Sequence, residues 1–258
     1  MAVQTGVPAR AVGGFRERPT IPALHDCFSA VWVHELRTAA PPPLVICPDA
    51  TIDLQWIDGK LRVAGPDLDP KTEALPADTT VIGFRFSPAA ASTWLGISAS
   101  ELVGQRVALE DLWGRRAKAL TANIRSRDST DAVVTSLEAL LMGLASPRDA
   151  DHTMRAAFRL IEAGPPPGAP LIPWLARSLA MNERTMRRRF HECFGYGPKT
   201  LDRILRYQRF LRLTATSHSS TAILASEAGY SDQAHLVRES RRISGFTPKR
   251  HVRTAPAQ

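Results

Sequence analysis

Two stretches near the end of the chain decide how it reads: Leu175–Pro198, LARSLAMNERTMRRRFHECFGYGP, and Ile223–Pro248, ILASEAGYSDQAHLVRESRRISGFTP. They are two versions of one pattern. Leu175-Ala176 returns as Leu224-Ala225, and Ala180 returns as Gly229, at an offset of 49 residues. Further on the offset is 50: Met186 with Leu236, Arg188 with Arg238, Gly195 with Gly245 and Pro198 with Pro248. A one-residue slip inside each repeat is what a variable turn between two helices leaves behind. Each repeat therefore predicts a short helix, a turn, a second helix and a Gly-x-x-Pro stop.

The second helix of each repeat has two faces. In the first repeat Asn182 is a good N-cap, and Met186, Phe190, Cys193 and Phe194 recur at helical spacing as an inward face. Arg184, Arg187, Arg188 and His191 fall on another face. A charged face on an isolated helix usually just meets water. This one has Glu183 and Glu192 only at its sides, and it belongs to a repeated two-helix unit. That context favours a helix entering a DNA major groove, where arginines bond guanine O6 and N7 or grip phosphates. In the second repeat Ser231 or Asp232 caps, and Leu236 and Ile243 point inward. Gln233, Ala234, Val237, Arg238 and Arg241 point outward, a mixture suited to adenine, thymine methyl and guanine edges. Asn182, Thr185, Lys199, Ser231, His235 and Arg241 are candidate phosphate contacts. For His235 a structural role beside the turn is an equal alternative.

Between the repeats, Leu201–Leu213 predicts a linking helix with Leu201, Ile204, Leu205 and Leu211 buried. Arg203, Arg206, Arg209 and Arg212 on it read mainly as surface or core-edge charges. As a rigid spacer this helix would set the separation of about 34 Å needed to enter successive major grooves.

Charge agrees with this placement. The 258-residue chain carries a net +8, but residues 171–258 hold 16 Lys/Arg against 6 Asp/Glu, and residues 1–170 hold 17 against 19. A basic excess confined to one end is the electrostatic footprint of a polyanion binder. GPPPGAP, Gly164–Pro170, reads as a linker at the point where the balance changes. The expected organisation is an α+β region over 1–163, β-rich and then helical, the linker 164–170, and an all-α domain over 171–258. That all-α domain comprises two helix-turn-helix units joined by a linking helix, and residues 171–258 alone are expected to bind DNA.

Residues 171–253 resemble the DNA-binding domain of the AraC/XylS family of bacterial transcription regulators, most of all in AGYSDQAHL and the terminal SGFTP. The resemblance implies a sequence-specific regulator whose base-facing residues are Arg184, Arg187 and Arg188 in the first unit and Gln233, Ala234, Val237 and Arg238 in the second. Double-stranded DNA is the implied partner. RNA polymerase, a small-molecule effector and a second copy of the chain are further candidates. Two positions depart from the family. Ala180 stands where Gly is common, and Ser240 stands where an aromatic or apolar residue is usual, as at Phe190 in the first unit. The serine predicts a packing gap under the second recognition helix, which Ser240→Phe would fill.

The first half reads as strands over Phe28–Leu36, Pro43–Asp49, TIDLQWI (51–57), KLRVAG (60–65) and Thr80–Phe86, with Asp58-Gly59 as a tight hairpin turn. Helices follow around Ala89–Leu95, from about Leu109, over Thr130–Ala145 with Val133, Val134, Leu137, Leu140, Leu141 and Leu144 on one face, and over Asp151–Glu162. The segments 48–67, 82–98 and 107–114 resemble a domain found ahead of such DNA-binding modules, one similar in role to sensor or dimerisation domains. Arg85 and Asp53 read as strand residues facing solvent or a salt bridge or, less simply, as part of a ligand pocket.

Other classes fit poorly. His25, Cys27, His34 and Cys47 match no zinc spacing, so no metal or other cofactor is expected. Three cysteines without a signal-peptide pattern suit a reduced, cytoplasmic protein, and no apolar run is long enough for a membrane span. The alternative is a bifunctional regulator whose first half is an enzyme like a repair methyltransferase. That chemistry needs an activated cysteine beside positive charge, whereas Cys27 and Cys47 lie in largely apolar stretches with no Lys or Arg nearby. The chain has neither a Gly-rich phosphate loop nor a Gly-x-Ser-x-Gly elbow, so it is not expected to be an enzyme.

Overall fold

The Asp58-Gly59 turn organises the first half of the computed structural model, which describes residues 7–122, 124, 129–144 and 151–249. Asp58 and Gly59 have φ of 47° and 82°, the two positive values that a tight hairpin turn needs to match strand twist. They join β5 (Asp53–Ile57) to β6 (Lys60–Ala64). Around this hairpin lie β1 (Val7–Pro8), β2 (Gly14–Pro19), β3 (Phe28–Glu35), β4 (Leu44–Ile46), β7 (Lys71–Glu73), β8 (Thr80–Phe86) and β9 (Arg106–Ala108). Six of them form an antiparallel sheet in the order β2-β3-β8-β5-β6-β9, and β1-β4-β7 make a small second sheet.

Alternation along the strands gives the large sheet two unlike faces. Val31, Val33, Leu54, Trp56, Val63, Ile82 and Phe84 bury one face against α1 (Ala91–Leu95), α2 (Leu109–Trp113), α3 (Arg115–Thr121) and α4 (Thr130–Leu144). In α4, Val133, Val134, Leu137 and Leu141 are buried and Leu140 and Leu144 half-buried, matching the expected face; Ala145 lies outside the described residues. The other face carries a cluster of ion pairs beside the buried Trp32, which stacks on Phe15. Arg85 on β8 reaches three carboxylates: Glu17 at 3.2 Å, and Asp49 and Asp53 at 3.4 Å each. Arg85 and Asp53 are thus salt-bridge partners, the simpler of the two expected roles. Beside them, Arg106 joins Asp67 at 2.7 Å and Glu73 at 2.5 Å, and Arg62 joins Glu73 at 2.8 Å. Burial alone would raise the Glu73 carboxyl, but Arg62 and Arg106 outweigh it and hold the group below the ordinary range. Burial dominates at Asp53 and Asp67, whose pKa values are raised.

The helical half comprises α5 (His152–Ala163), α6 (Leu171–Ser178), α7 (Glu183–Phe194), α8 (Pro198–Thr216), α9 (Thr221–Glu227) and α10 (Gln233–Ser244). They surround two cores. The first takes Ile172 and Leu175 from α6, Met186, Phe190 and Phe194 from α7, and Leu201, Ile204 and Leu205 from α8. The second takes Tyr207 and Phe210 from α8, Leu224 and Ala225 from α9, and Leu236 and Ile243 from α10. Helix α8 thus serves both cores and, at 19 residues, is about 28 Å long. The sequence pattern found Leu201, Ile204 and Leu205 among its buried residues. It did not anticipate Tyr207 and Phe210, and Leu211 is only half-buried.

Helix α5 differs from expectation. It precedes the Pro-rich segment, yet Met154, Ala157 and Ile161 are fully buried in the first helical core, and Phe158 packs at its edge. Its N-cap residue Asp151 also pairs with Arg189 of α7. The Pro-rich segment is therefore a turn between two helices that share a core. A fragment beginning at 171 leaves the α5 binding face of that core open to water. A fragment of residues 151–258 is expected to melt cooperatively at a higher temperature than one of residues 171–258, since each buried Met or Ile contributes roughly 1.5–3 kcal/mol. Thermal melting followed by circular dichroism checks this, and equal midpoints would detach α5 from the helical domain.

Candidate nucleic-acid interface

Helices α7 and α10 are repeat-equivalent, each 12 residues long and closed by a left-handed glycine, Gly195 at φ 84° and Gly245 at φ 76°. Their N-termini are capped from within the sequence. Asn182 Oδ1 accepts the Thr185 N–H at 2.8 Å, and Asp232 Oδ1 accepts the His235 N–H at 2.7 Å. That backbone hydrogen bond lowers the Asp232 pKa, and it identifies Asp232, rather than Ser231, as the cap. The turn before α7 contains Ala180 at φ 48°, where the second unit has Gly229 at 93°. Ala180 accepts a conformation in which its Cβ is crowded, a cost of roughly 1–2 kcal/mol that glycine avoids.

On α7, Arg184, Arg187 and Arg188 are exposed together on one side while Met186 and Phe190 are fully buried. The flanking carboxylates reach this face more closely than the sequence suggested: Glu183 meets Arg187 at 3.3 Å, and Glu192 meets Arg188 at 2.7 Å. These exposed i,i+4 pairs are worth only about 0.3–0.5 kcal/mol each, so the guanidiniums can be withdrawn from them easily. Among the described residues Arg184 has no ion pair. Thr185 is half-buried, and Lys199 is exposed in the first turn of α8.

On α10, Gln233, Ala234, Val237 and Arg238 line one shallow hollow, with all but half-buried Val237 exposed. Arg241 is exposed one turn further along. Ser231 and His235 are turned to other partners. Ser231 Oγ is 3.2 Å from His235 Nδ1, and His235 Nε2 lies 3.5 Å from Glu239.

The core beneath α10 corrects the expectation at Ser240. This serine is fully buried, and its hydroxyl donates to the Phe246 carbonyl at 2.8 Å. The hydroxyl of Tyr207, reaching across from α8, lies 3.0 Å from Ser240 Oγ and donates to Ser244 Oγ at 3.2 Å. The space left by a small residue on α10 is occupied from α8 by a tyrosine whose polar end needs the serines. The linking-helix arginines are likewise mostly structural. Arg206 pairs with Glu239, and Arg209 donates to the carbonyls of Ala228 and Glu162.

The first half of the chain touches both α7 and α10 at the end away from their caps. Ser92 Oγ donates to the Glu192 carbonyl in the last turn of α7 at 2.6 Å. The Cys47 thiol points to the Ile243 carbonyl in the last turn of α10 at 3.7 Å, and Gln208 of α8 donates to the Pro48 carbonyl at 2.8 Å. A Cβ on Gly195 would come within 2.7 Å of Val103 and 2.9 Å of Pro66, so these segments approach too closely there for a larger residue. Sequence reasoning missed these contacts, because they join residues about a hundred or more positions apart.

The thiols offer no activated nucleophile. Burial raises Cys27 and raises Cys47 well above the usual range; at Cys193 burial, with Asp151 beside it, pushes the thiol up to about 12. Thiols held protonated in this way are poor nucleophiles. Among the described residues no cluster of side chains could hold a metal, and no helix is long and apolar enough to cross a membrane.

Two helix-turn-helix units, each presenting a cationic or mixed face, define a DNA-binding protein, and the family comparison agrees. Residues 175–254 match a family described as a helix-turn-helix domain, and residues 16–108 match a domain of unknown function, DUF6597. The C-terminal region belongs to the AraC-type helix-turn-helix domains, and the chain is a DNA-binding transcription regulator. Among solved structures the chain is similar to an apo variant of ToxT from Vibrio cholerae strain SCE256, at 11% identity and a TM-score of 0.48 over 93% of this chain and 100% of that one. It is also similar to ToxT from Vibrio cholerae O395, at 10% identity and a TM-score of 0.47 over 99% and 98%. No curated protein matches.

Replacing Ser240 by Phe is expected to destabilise the protein by about 2–5 kcal/mol, through overpacking and the loss of hydrogen bonds to Tyr207 and Phe246. Differential scanning calorimetry gives the sign. A raised melting temperature would restore the idea of a packing gap.

Proposed function

We propose that one chain reads two successive major grooves, with α7 in one and α10 in the next. The observation that carries this reading is the shared helix α8, built into both cores, which holds two equivalent helices with their candidate base-reading faces exposed. Arg184, Arg187 and Arg188 are the base-facing residues of α7, and they trade their weak carboxylate pairs for guanine edges or phosphates. Gln233, Ala234, Val237 and Arg238 read bases from α10, with Ala234 and Val237 offering an apolar surface to a thymine methyl. Asn182, Thr185, Lys199 and Arg241 contact phosphates. Ser231 and His235, whose polar atoms are engaged with one another and with Glu239, hold the start of α10 in place of the phosphate role expected for them.

The DUF6597 region modulates this reading by gripping the ends of α7 and α10 remote from their caps, through Ser92, Cys47 and Pro48. A small-molecule effector, a second copy of the chain or RNA polymerase acting on that region would change the relative setting of the two helices through these contacts.

The test is selection of bound sequences from random DNA, followed by affinity measurement. Arg188→Ala is expected to weaken binding to the selected site by about 1–3 kcal/mol and to relax preference at one position. An equal loss on selected and random DNA would make Arg188 a phosphate contact only.

A further inference from the structure

The seventh residue of each recognition helix is charged and turned away from the base-reading face, with opposite sign in the two units. In α7 it is Arg189, and in α10, 50 residues on, it is Glu239. Each is tied to the helix that precedes its own unit. Arg189 pairs with Asp151, the residue that caps α5. Glu239, only 8% exposed, pairs with Arg206 of α8 at 3.4 Å. Tyr230 completes the second arrangement, donating its hydroxyl to Glu239 at 3.0 Å while its ring lies 5.2 Å beneath the Arg206 guanidinium. From Glu239 the chain of contacts runs outward through His235 to Ser231 and so to the first turn of α10, beside Gln233 and Ala234.

Such a link has a directional consequence that apolar packing lacks. The fully buried Leu236 and Ile243 hold α10 by shape and contact, with no single directional partner. A charge-assisted hydrogen bond fixed on a neighbouring helix weakens steeply once its angle is lost. Leaving a buried carboxylate or guanidinium unpaired costs more still. The opposite signs add discrimination, since Arg189 is attracted to a carboxylate at α5 and Glu239 to a guanidinium at α8.

We propose that Arg189 and Glu239 are positioning residues for base recognition: each ion pair fixes the roll of its own recognition helix on the preceding helix, and so sets which side chains reach the bases. The proposal rests on base reading by α7 and α10, and the experiment separates the two. The full-length protein and its Glu239→Gln, Tyr230→Phe and Arg189→Gln variants are each profiled by selection from random DNA, with thermal melting showing that each is folded. Wild-type protein is expected to show two blocks of base preference, one weakened by Arg188→Ala and the other by Arg238→Ala. Glu239→Gln is then expected to lower preference about tenfold in the second block alone, within the discrimination that base contacts supply. Tyr230→Phe should shift the same block by less, and Arg189→Gln should affect only the first. Glu239→Asp and Arg189→Lys, which keep the charges, should recover most of each pattern.

A uniform loss across both blocks, or unchanged profiles in folded Glu239→Gln and Arg189→Gln, would overturn the positioning role while leaving base reading intact. A wild-type profile with no block sensitive to Arg238→Ala would overturn base reading by α10, and with it the role of Glu239.

Discussion

Helix α8 is the constraint on which the rest depends, because it is built into two hydrophobic cores at once. Leu201, Ile204 and Leu205 bury in the core of the first unit, and Tyr207 and Phe210 in that of the second. A single unbroken helix cannot serve both without fixing their separation and relative rotation. Two small domains on a flexible tether would pay an ordering cost on binding DNA that this rigid connection has already met during folding. The two units are nevertheless held differently. The first is anchored by Phe190 and Phe194 and by α5. The second combines apolar contacts with the Ser240, Ser244 and Tyr207 hydroxyls and the buried Glu239.

The first half of the chain adds a second restraint at the ends of α7 and α10 remote from their caps. Its large sheet packs one apolar face on helices and carries a cluster of ion pairs on the other, and segments beside that cluster, Cys47–Pro48 and Pro66, touch the helical half. Ion pairs such as Arg106–Asp67 and Arg85–Asp53 contribute direction more than net stability, because desolvation offsets most of their attraction. A face built in this way has a defined register, and loops leaving it arrive at defined places.

Much of the fold was legible because its signals are local. The Asp58-Gly59 turn, the β8 strand over Thr80–Phe86, the α4 periodicity and the Asn182 cap each follow from a few neighbouring residues. The short strands β7 and β9 were not legible, since three residues make no pattern, and β2, GFRERP, is a polar edge strand. The Pro-rich run suggested a boundary before 171, but proline stops a helix without saying whether the next one shares its core. Ser240 read as a defect because its compensation, Tyr207, is 33 residues away and belongs to another helix. Candidate base-facing residues could be proposed from repeat, spacing and the family resemblance. The inward turn of His235 and the buried role of Glu239 appear only once α8 and Tyr230 are placed around them.

The measurement that bears most directly on two equivalent helices held by one spacer is a hydroxyl-radical footprint of the full-length protein on a site selected from random DNA. The account predicts two protected patches on one face of the duplex, about one helical turn apart. A single patch, or two patches on opposite faces, would mean that α8 does not hold α7 and α10 for adjacent major grooves.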